Sequence, residues 1–168
     1  FILKDGHRLS SMQEIRAETI TYYKDSSRAA KRGGWRMAAS DVPRVTDDQA
    51  SKLTVTITEK ETIDAIKDLN IEGSHGSDGI QVFFYKEMWS VIGKEVMEVI
   101  REFEKGNAGF NKINKSYLFL LPKTMGAEKF SDFRPISLSN SIYLVVSKIL
   151  ANRLRTVLQS LIHPVQSA

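Results

Sequence analysis

The 168-residue chain contains no cysteine, which excludes disulfide frameworks, thiolate zinc sites and thiol nucleophiles. It also lacks an apolar run near the roughly 20 residues of a membrane span, so the sequence predicts no membrane partner. The three histidines are scattered, no serine lies in a nucleophile-elbow pattern and the acidic residues are dispersed. Nucleophilic catalysis and a metal site are therefore poorly supported.

What remains is a globular composition, with 42% hydrophobic and 26% charged residues. Twenty-four basic against 20 acidic residues give a net charge of +4. This mild excess permits a polyanionic partner without requiring one.

The hydrophobic pattern predicts an α+β fold in which helix predominates. Residues 1–25 show a weak helical pattern that is typical of a short helix or a tether, and breaker-rich residues 26–52 predict a loop or linker. The Asp47-Asp48 pair in that stretch is interpreted as a solvated N-terminal turn. The alternating "KLTVTIT" at 52–58 predicts a strand or extended segment.

Helical spacing and capping signals predict three helices in the rest of the chain. The first opens at a capping box between Thr58 and Glu61 and ends near Asn70. The other two cover 81–105, with Gly106 as the C-terminal cap, and 142–161. The apolar, aromatic stretch at 115–123 predicts a strand.

The loop "GSHGSDG" at 73–79 has three interpretations, since its glycines offer positive φ at little steric cost. It can reverse the chain, Asp78 can cap the following helix, or its backbone N–H groups can face an anion. Taken alone, a structural turn with Asp78 as the helix N-cap is favoured, because the lysine of a Walker loop is missing.

Lys123 and Arg134 flank a predicted β-hairpin whose strands are joined by "TMGAEKFSD". The planar fork of arginine binds phosphate in a bidentate fashion, so such a pair suits a triphosphate or a backbone phosphate. Pairing of Arg134 with Asp132 or another carboxylate for structural reasons is an equally weighted alternative.

Two further sets of basic residues are candidates for nucleic-acid binding. Lys148, Arg153 and Arg155 lie on the last predicted helix, where a solvated face is the alternative. The segment "RAAKRGGWR" can bind nucleic acid by charge and stacking, or can simply be a solvated linker; its candidates are Arg28, Lys31, Arg32, Trp35 and Arg36.

Three stretches, in order, carry a family resemblance: "GSDGIQVFFYKEMWSVIG", "NKSYLFLLPK" and "FSDFRPISLSNSIYLVVSKILANRLRTVLQSLIHPVQSA". They resemble the N-terminal reverse transcriptase region of non-LTR (LINE-type) retrotransposons, especially those common in plant genomes. The resemblance covers residues 52–168, while residues 1–51 resemble the connector between endonuclease and polymerase. Ser74-His75 and Ser77 stand where the family usually has prolines, and "YLVV" replaces its usual Tyr-Lys-Ile.

The resemblance implies a right-handed polymerase fold, with residues 52–168 forming the fingers and the start of the palm. Lys123 and Arg134 match fingers residues that contact the triphosphate of the incoming nucleotide. Among the nucleic-acid candidates, Gly76, Asp78 and Gly79 match a loop near the template, and Gln166 precedes template-facing residues. The implied partners are an RNA template, a DNA primer, a dNTP and the rest of the polymerase, its palm and thumb.

In the family, two Mg²⁺ ions held by palm aspartates carry out phosphoryl transfer. Those aspartates belong to motifs beyond the matched stretches, so RNA-directed DNA polymerase (nucleotidyltransferase) activity and Mg²⁺ binding are expected of the complete enzyme. This chain alone is expected to incorporate no nucleotide. A non-catalytic nucleic-acid-binding remnant is the alternative. The sequence leaves localisation open, although a retroelement is expected in the nucleus or cytoplasm.

Overall fold

The computed structural model describes residues 2–28, 43–70, 72–106 and 113–162. The chain divides into two compact units, of which unit 1 comprises Phe1–Met37 and Leu118–Ser137. Unit 2 comprises Ala38–Tyr117 and Leu138–Ala168. The described residues form helices and two two-stranded sheets, which confirms the α+β class. A domain boundary between residues 51 and 52 stays a prediction.

Unit 1 opens with a hairpin of β1 (Ile2–Lys4) and β2 (His7–Leu9), paired antiparallel with Lys4 opposite His7. Its two-residue turn is Asp5-Gly6, with φ of 50° and 81°, and two consecutive positive φ values are what the favoured hairpin turn requires. Helix α1 (Met12–Ser27) follows, and a reciprocal capping box between Ser11 and Glu14 starts it.

Strands β3 (Ser116–Pro122) and β4 (Phe133–Ser139) form the second sheet. Residues 123–132, here called the β3–β4 turn, connect them and end in a short 3₁₀ helix, Phe130–Asp132. Phe130 is buried and stacks on Tyr22 of α1 with ring centroids 5.1 Å apart. The backbone N–H of Leu3 donates to the carbonyl of Glu128 at 2.6 Å. Within unit 1, the N-terminal hairpin and α1 therefore both pack on the β3–β4 turn.

Unit 2 is helical. Its helices are α2 (Asp47–Thr54), α3 (Glu59–Asp68), α4 (Val82–Glu87), α5 (Trp89–Glu104) and α6 (Ser141–Leu161). The core is built from the apolar faces of α3 to α6, with the following buried side chains: Ile57, Ala65, Ile66, Val82, Tyr85, Val96, Met97, Ile100, Ile142, Val145, Val146 and Ile149. Within the described ranges, no helix has the length and apolar character that crossing a membrane requires.

The strand or extended segment predicted at 52–58 is wrong for residues 52–54, because α2 occupies Asp47–Thr54. Residues 55–58 lie outside any helix, and Thr58 has the predicted extended backbone. Thr46 and Gln49 form a capping box, and Lys52 pairs with Asp48 one turn earlier at 2.6 Å. These local helix signals outweigh the β-branched residues that follow. Within its described parts, the loop or linker predicted at 26–52 is wrong where α1 reaches Ser27 and where α2 starts at Asp47, whereas residues 43–46 form neither helix nor strand, as predicted. The solvated N-terminal turn at Asp47-Asp48 is confirmed.

Asp78 is not a helix N-cap, since α4 starts only after Gln81, which makes no side-chain capping bond. The Asp78 carboxylate instead accepts from the backbone N–H of Ile80 at 3.0 Å, forming an Asx turn. The helix predicted over 81–105 is two helices, broken at Met88 (φ −97°, ψ 11°) so that both bury apolar side chains in one core. Gly106, at φ 70°, is confirmed after the end of α5.

Candidate nucleotide and nucleic-acid site

Asp132 holds the β3–β4 turn together. Its Oδ2 accepts from the backbone N–H groups of Lys129 (3.0 Å) and Glu128 (3.3 Å), and its Oδ1 accepts from the Ser131 hydroxyl (3.1 Å). The two backbone hydrogen bonds, from Lys129 and then Glu128, are the main reason that the pKa of Asp132 lies below its ordinary 3.8. This carboxylate is therefore committed to the turn.

Arg134, the second residue of β4, is exposed. Its guanidinium forms no ion pair or side-chain hydrogen bond with any residue in the described part of the chain. The alternative in which Arg134 pairs with Asp132 is therefore wrong, because Asp132 accepts hydrogen bonds from the turn instead. The donors of the guanidinium remain available to a ligand.

Lys123 follows β3 directly and is tied to the same turn. Its backbone N–H donates to the carbonyl of Asp132 at 2.8 Å, which brings the end of β3 beside the start of β4, as the predicted hairpin requires. Its ammonium donates to the carbonyl of Ser131 at 2.6 Å. Because an ammonium has three N–H donors, this contact fixes the position of the charge and leaves donors for a second partner.

A cavity of about 830 Å³ lies beside the turn within unit 1. It is bounded by the β1–β2 turn, by one side of α1 and by residues 129–131, and its lining residues are Leu3, Lys4, Asp5, Gly6, Glu18, Thr21, Tyr22, Asp25, Ser26, Lys129, Phe130 and Ser131. We call it the unit 1 cavity. The Lys123 ammonium bonds the carbonyl of one lining residue, Ser131. Sequence analysis missed this cavity, although the "DG" pair flanked by short apolar segments is a signal for its hairpin wall.

The loop at 73–79 is anchored within unit 2 by Asn140, which is buried between β4 and α6. The side-chain oxygen of Asn140 accepts from the Ser77 hydroxyl (3.0 Å) and the Asp78 backbone N–H (3.3 Å). Its amide nitrogen donates to the carbonyl of Ile113 at 3.0 Å. Gly76 lies so close that an added Cβ would stand 2.5 Å from the Asn140 Oδ1.

This anchoring favours a structural turn over an anion cradle. The Asp78 N–H is directed to Asn140, and the Gly79 N–H donates to the carbonyl of Gly76 at 3.3 Å. Gly79, at φ 74°, supplies the left-handed residue that the reversal needs. Nucleic-acid binding by Gly76, Asp78 and Gly79 stays a prediction.

The side chain of Arg153 on α6 forms hydrogen bonds within unit 2 and does not lie on a solvated face. Its Nε and Nη2 donate to both carboxylate oxygens of Glu61 at 2.6 and 2.8 Å, and its Nη1 donates to the carbonyls of Leu53 (3.0 Å) and Val55 (2.6 Å). Its side chain is only 13% exposed. The hydrogen bonds from Arg153 hold the pKa of Glu61 below its ordinary 4.5. Arg153 thus joins α6 to α3 and to the end of α2.

The other basic candidates have weaker ties or fall outside the described residues. The Lys148 ammonium lies 3.5 Å from an Asp68 carboxylate oxygen, and Nη1 of Arg28 lies 3.2 Å from Oδ1 of Asp25. Outside the described residues are Lys31, Arg32, Trp35, Arg36 and Gln166. Within the described residues, no group of three or more histidine, aspartate or glutamate side chains is placed to hold a metal ion.

Comparison with known proteins identifies a similar protein. The chain is 28% identical over 167 residues to the protein called "Transposon TX1 uncharacterized 149 kDa protein" of Xenopus laevis. It is similar to a transposon protein. The match covers 98% of the chain and 13% of that relative, so the chain spans about an eighth of the relative's length. No protein-family model matches.

Proposed function

We propose that this chain is part of the reverse transcriptase of a LINE-type retroelement, and that β3, β4 and their turn belong to the fingers of a right-handed polymerase. Three observations support the proposal. The three stretches that resemble the family follow one another in the family's order. The similarity to a transposon protein covers 98% of the chain, and the described residues form the α+β mixture that such a fragment requires.

The main support for nucleotide binding at this hairpin is that Arg134 is exposed and has no ion pair within the described chain. An exposed guanidinium without a partner in the described chain lies beside a carboxylate that is already occupied. Since arginine pairs with phosphate through two parallel N–H donors, a triphosphate is a suitable ligand. Lys123, fixed at the turn by Ser131, supplies a second cation from the other strand.

The proposed site is smaller than the set of candidate residues. Arg153 is left out because four N–H···O bonds commit it to Glu61, Leu53 and Val55. An RNA template and a DNA primer remain proposed partners, since the polymerase family uses both. The role proposed for this chain is to bind and orient the nucleotide, and Mg²⁺ binding is proposed for the complete enzyme.

The test is the affinity of the 168-residue chain for dTTP, measured by isothermal titration calorimetry. We expect Arg134→Ala to weaken binding about tenfold or more, since hydrogen bonds to charged groups contribute about 1.5–3 kcal/mol. Arg134→Lys is expected to retain part of the affinity, because lysine keeps the charge and loses the fork.

Arg16→Ala is the matched control, because Arg16 lies exposed on α1 of the same unit and its loss changes the net charge equally. An Arg134→Ala affinity equal to that of Arg16→Ala would mean that Arg134 acts only through net charge. The proposed triphosphate site would then be rejected.

A further inference from the structure

We infer that the unit 1 cavity binds a nucleotide whose base carries an exocyclic amino group. The base would stack on Tyr22, its amino group would donate to Asp5, and its phosphate would pair with Lys129. Because this site needs neither a triphosphate nor a polymerase fold, it goes beyond the proposed function.

The dimensions of the cavity suit such a ligand. Its volume of about 830 Å³ lies within the roughly 300–1,000 Å³ that is typical of small-molecule sites. Leu3, Tyr22 and Phe130 contribute apolar walls, and charged side chains from three separate segments stand around them. A cavity with apolar walls and a few polar groups is the usual design of a site that holds a ring and orients it.

The aromatic wall of the cavity is the ring of Tyr22, which is held in place by neighbouring rings and is partly exposed. Phe130 is only 5% exposed and stacks on Tyr22 with the rings 20° from parallel, while Tyr23 meets Tyr22 edge-on at 5.1 Å. Tyr22 itself is 37% exposed. Its ring is therefore held by two other rings and remains accessible from the cavity, which is the property of a platform for base stacking.

The charged side chains around the cavity favour a planar ligand that carries both a hydrogen-bond donor and an anionic group. Lys4 pairs with Glu18, and Asp25 pairs with Arg28, so these groups are largely compensated. Two charges have no contact partner: within the described chain, neither the Asp5 carboxylate nor the Lys129 ammonium forms an ion pair or a side-chain hydrogen bond, although Asp5 attracts the nearby Lys4 ammonium and Lys129 attracts the Asp132 carboxylate. An acceptor and a cation without contact partners match the amino group and the phosphate of a nucleotide, whereas a ligand of one charge sign would meet only one of them.

Two sources carry this chemistry, a free nucleotide and an unpaired nucleotide of an RNA strand. We would measure both with the 168-residue chain by calorimetric titration. CMP and UMP form the matched ligand pair, since the two differ in having an amino group or an oxygen at the same ring position. Pentacytidylate is the strand probe.

We expect CMP to bind at least about fivefold more tightly than UMP, because uracil presents a carbonyl oxygen to the Asp5 carboxylate where cytosine presents its amino group. Asp5→Asn is expected to reduce that preference, and asparagine tolerates the positive φ of this turn position. Tyr22→Leu is expected to weaken CMP binding about tenfold, whereas Tyr22→Phe keeps the ring and the affinity. Phe84→Leu removes an exposed aromatic ring from unit 2 and serves as the control.

Tighter binding of pentacytidylate than of CMP, with competition between them, would identify an RNA strand as the source, and equal binding would identify the free nucleotide. Equal affinity for CMP and UMP, or no saturable binding of any probe, would overturn the inference. If Tyr22→Leu does not fold, the inference is tested by the ratio of the affinities for CMP and UMP in the wild-type chain and by the change of that ratio in Asp5→Asn. If the chain binds CMP but not dTTP, only the proposed triphosphate site at the β3–β4 hairpin is rejected. If it binds dTTP but not CMP, only the proposed site in the unit 1 cavity is rejected.

Discussion

Replacing Gly76 with alanine is expected to lower the free energy of unfolding by about 3 kcal/mol, at the upper end of what overpacking usually costs. The added Cβ would stand 2.5 Å from the Asn140 Oδ1 and from the backbone carbonyl carbon of Ser139. These are a buried, hydrogen-bonded amide and a main-chain atom, so neither can move aside cheaply. Displacing the loop would also stretch the bonds from Ser77 and Asp78 to Asn140.

Urea denaturation followed by circular dichroism would measure this loss, with Gly79→Ala as the control. Gly79 has nothing within 4 Å of an added Cβ but adopts φ 74°, so alanine there costs only the left-handed conformation, about 1–2 kcal/mol. The comparison separates a steric contact from a backbone preference. Equal losses in the two variants would show that Gly76 does not lie against Asn140 as described.

Arg153→Ala is expected to destabilise the chain by about 3 kcal/mol, near the lower limit for breaking a buried ion pair. The substitution leaves Glu61 and the carbonyls of Leu53 and Val55 without their donor, and the Glu61 side chain is only 26% exposed. Arg155→Ala, at an exposed position on the same helix, is the control and should change stability by less than about 0.5 kcal/mol. A loss as small as that of the control would contradict a structural role for Arg153.

The same pair predicts a pH dependence. Arg153 lowers the pKa of Glu61 in the folded chain below the ordinary 4.5, so folding favours the ionised carboxylate. Its contribution is complete above pH 4.5 and is lost as the pH falls through the lowered folded pKa. The stability difference between wild type and Glu61→Gln should therefore shrink on acidification below pH 4.5. A difference that stays constant down to pH 3 would show that the ion pair does not contribute through the charge of Glu61.

Local signals were sufficient for much of the fold. Thr58 caps α3 by accepting the backbone N–H of Glu61, which is one half of the predicted capping box. The Glu61 carboxylate binds Arg153 rather than the backbone N–H of Thr58, so the reciprocal half is wrong. Gly106 follows α5 in the left-handed conformation. The long apolar repeat over 142–161 is α6 within one residue. These features depend on neighbours three or four residues away, which a sequence displays directly.

The failures have a different physical origin. The break at Met88 involves neither proline nor glycine and follows from packing two apolar faces into one core, which the period alone does not reveal. Arg153 meets Glu61 across 92 residues, and the stack of Tyr22 on Phe130 joins α1 to a distant turn. No spacing rule brings such pairs together. The availability of Arg134 likewise depends on the hydrogen bonds between Asp132 and the backbone of its own turn, which the spacing of the two residues does not predict.

Binding of a primed RNA template by the 168-residue chain, measured as a function of salt, tests the central claim most directly. A nucleic-acid-binding part of a polymerase should bind tightly at low salt and lose affinity along a straight line of log Kd against log salt concentration, because phosphate contacts release counterions. The absence of saturable binding at low salt, or an affinity that does not change with salt, would contradict the account.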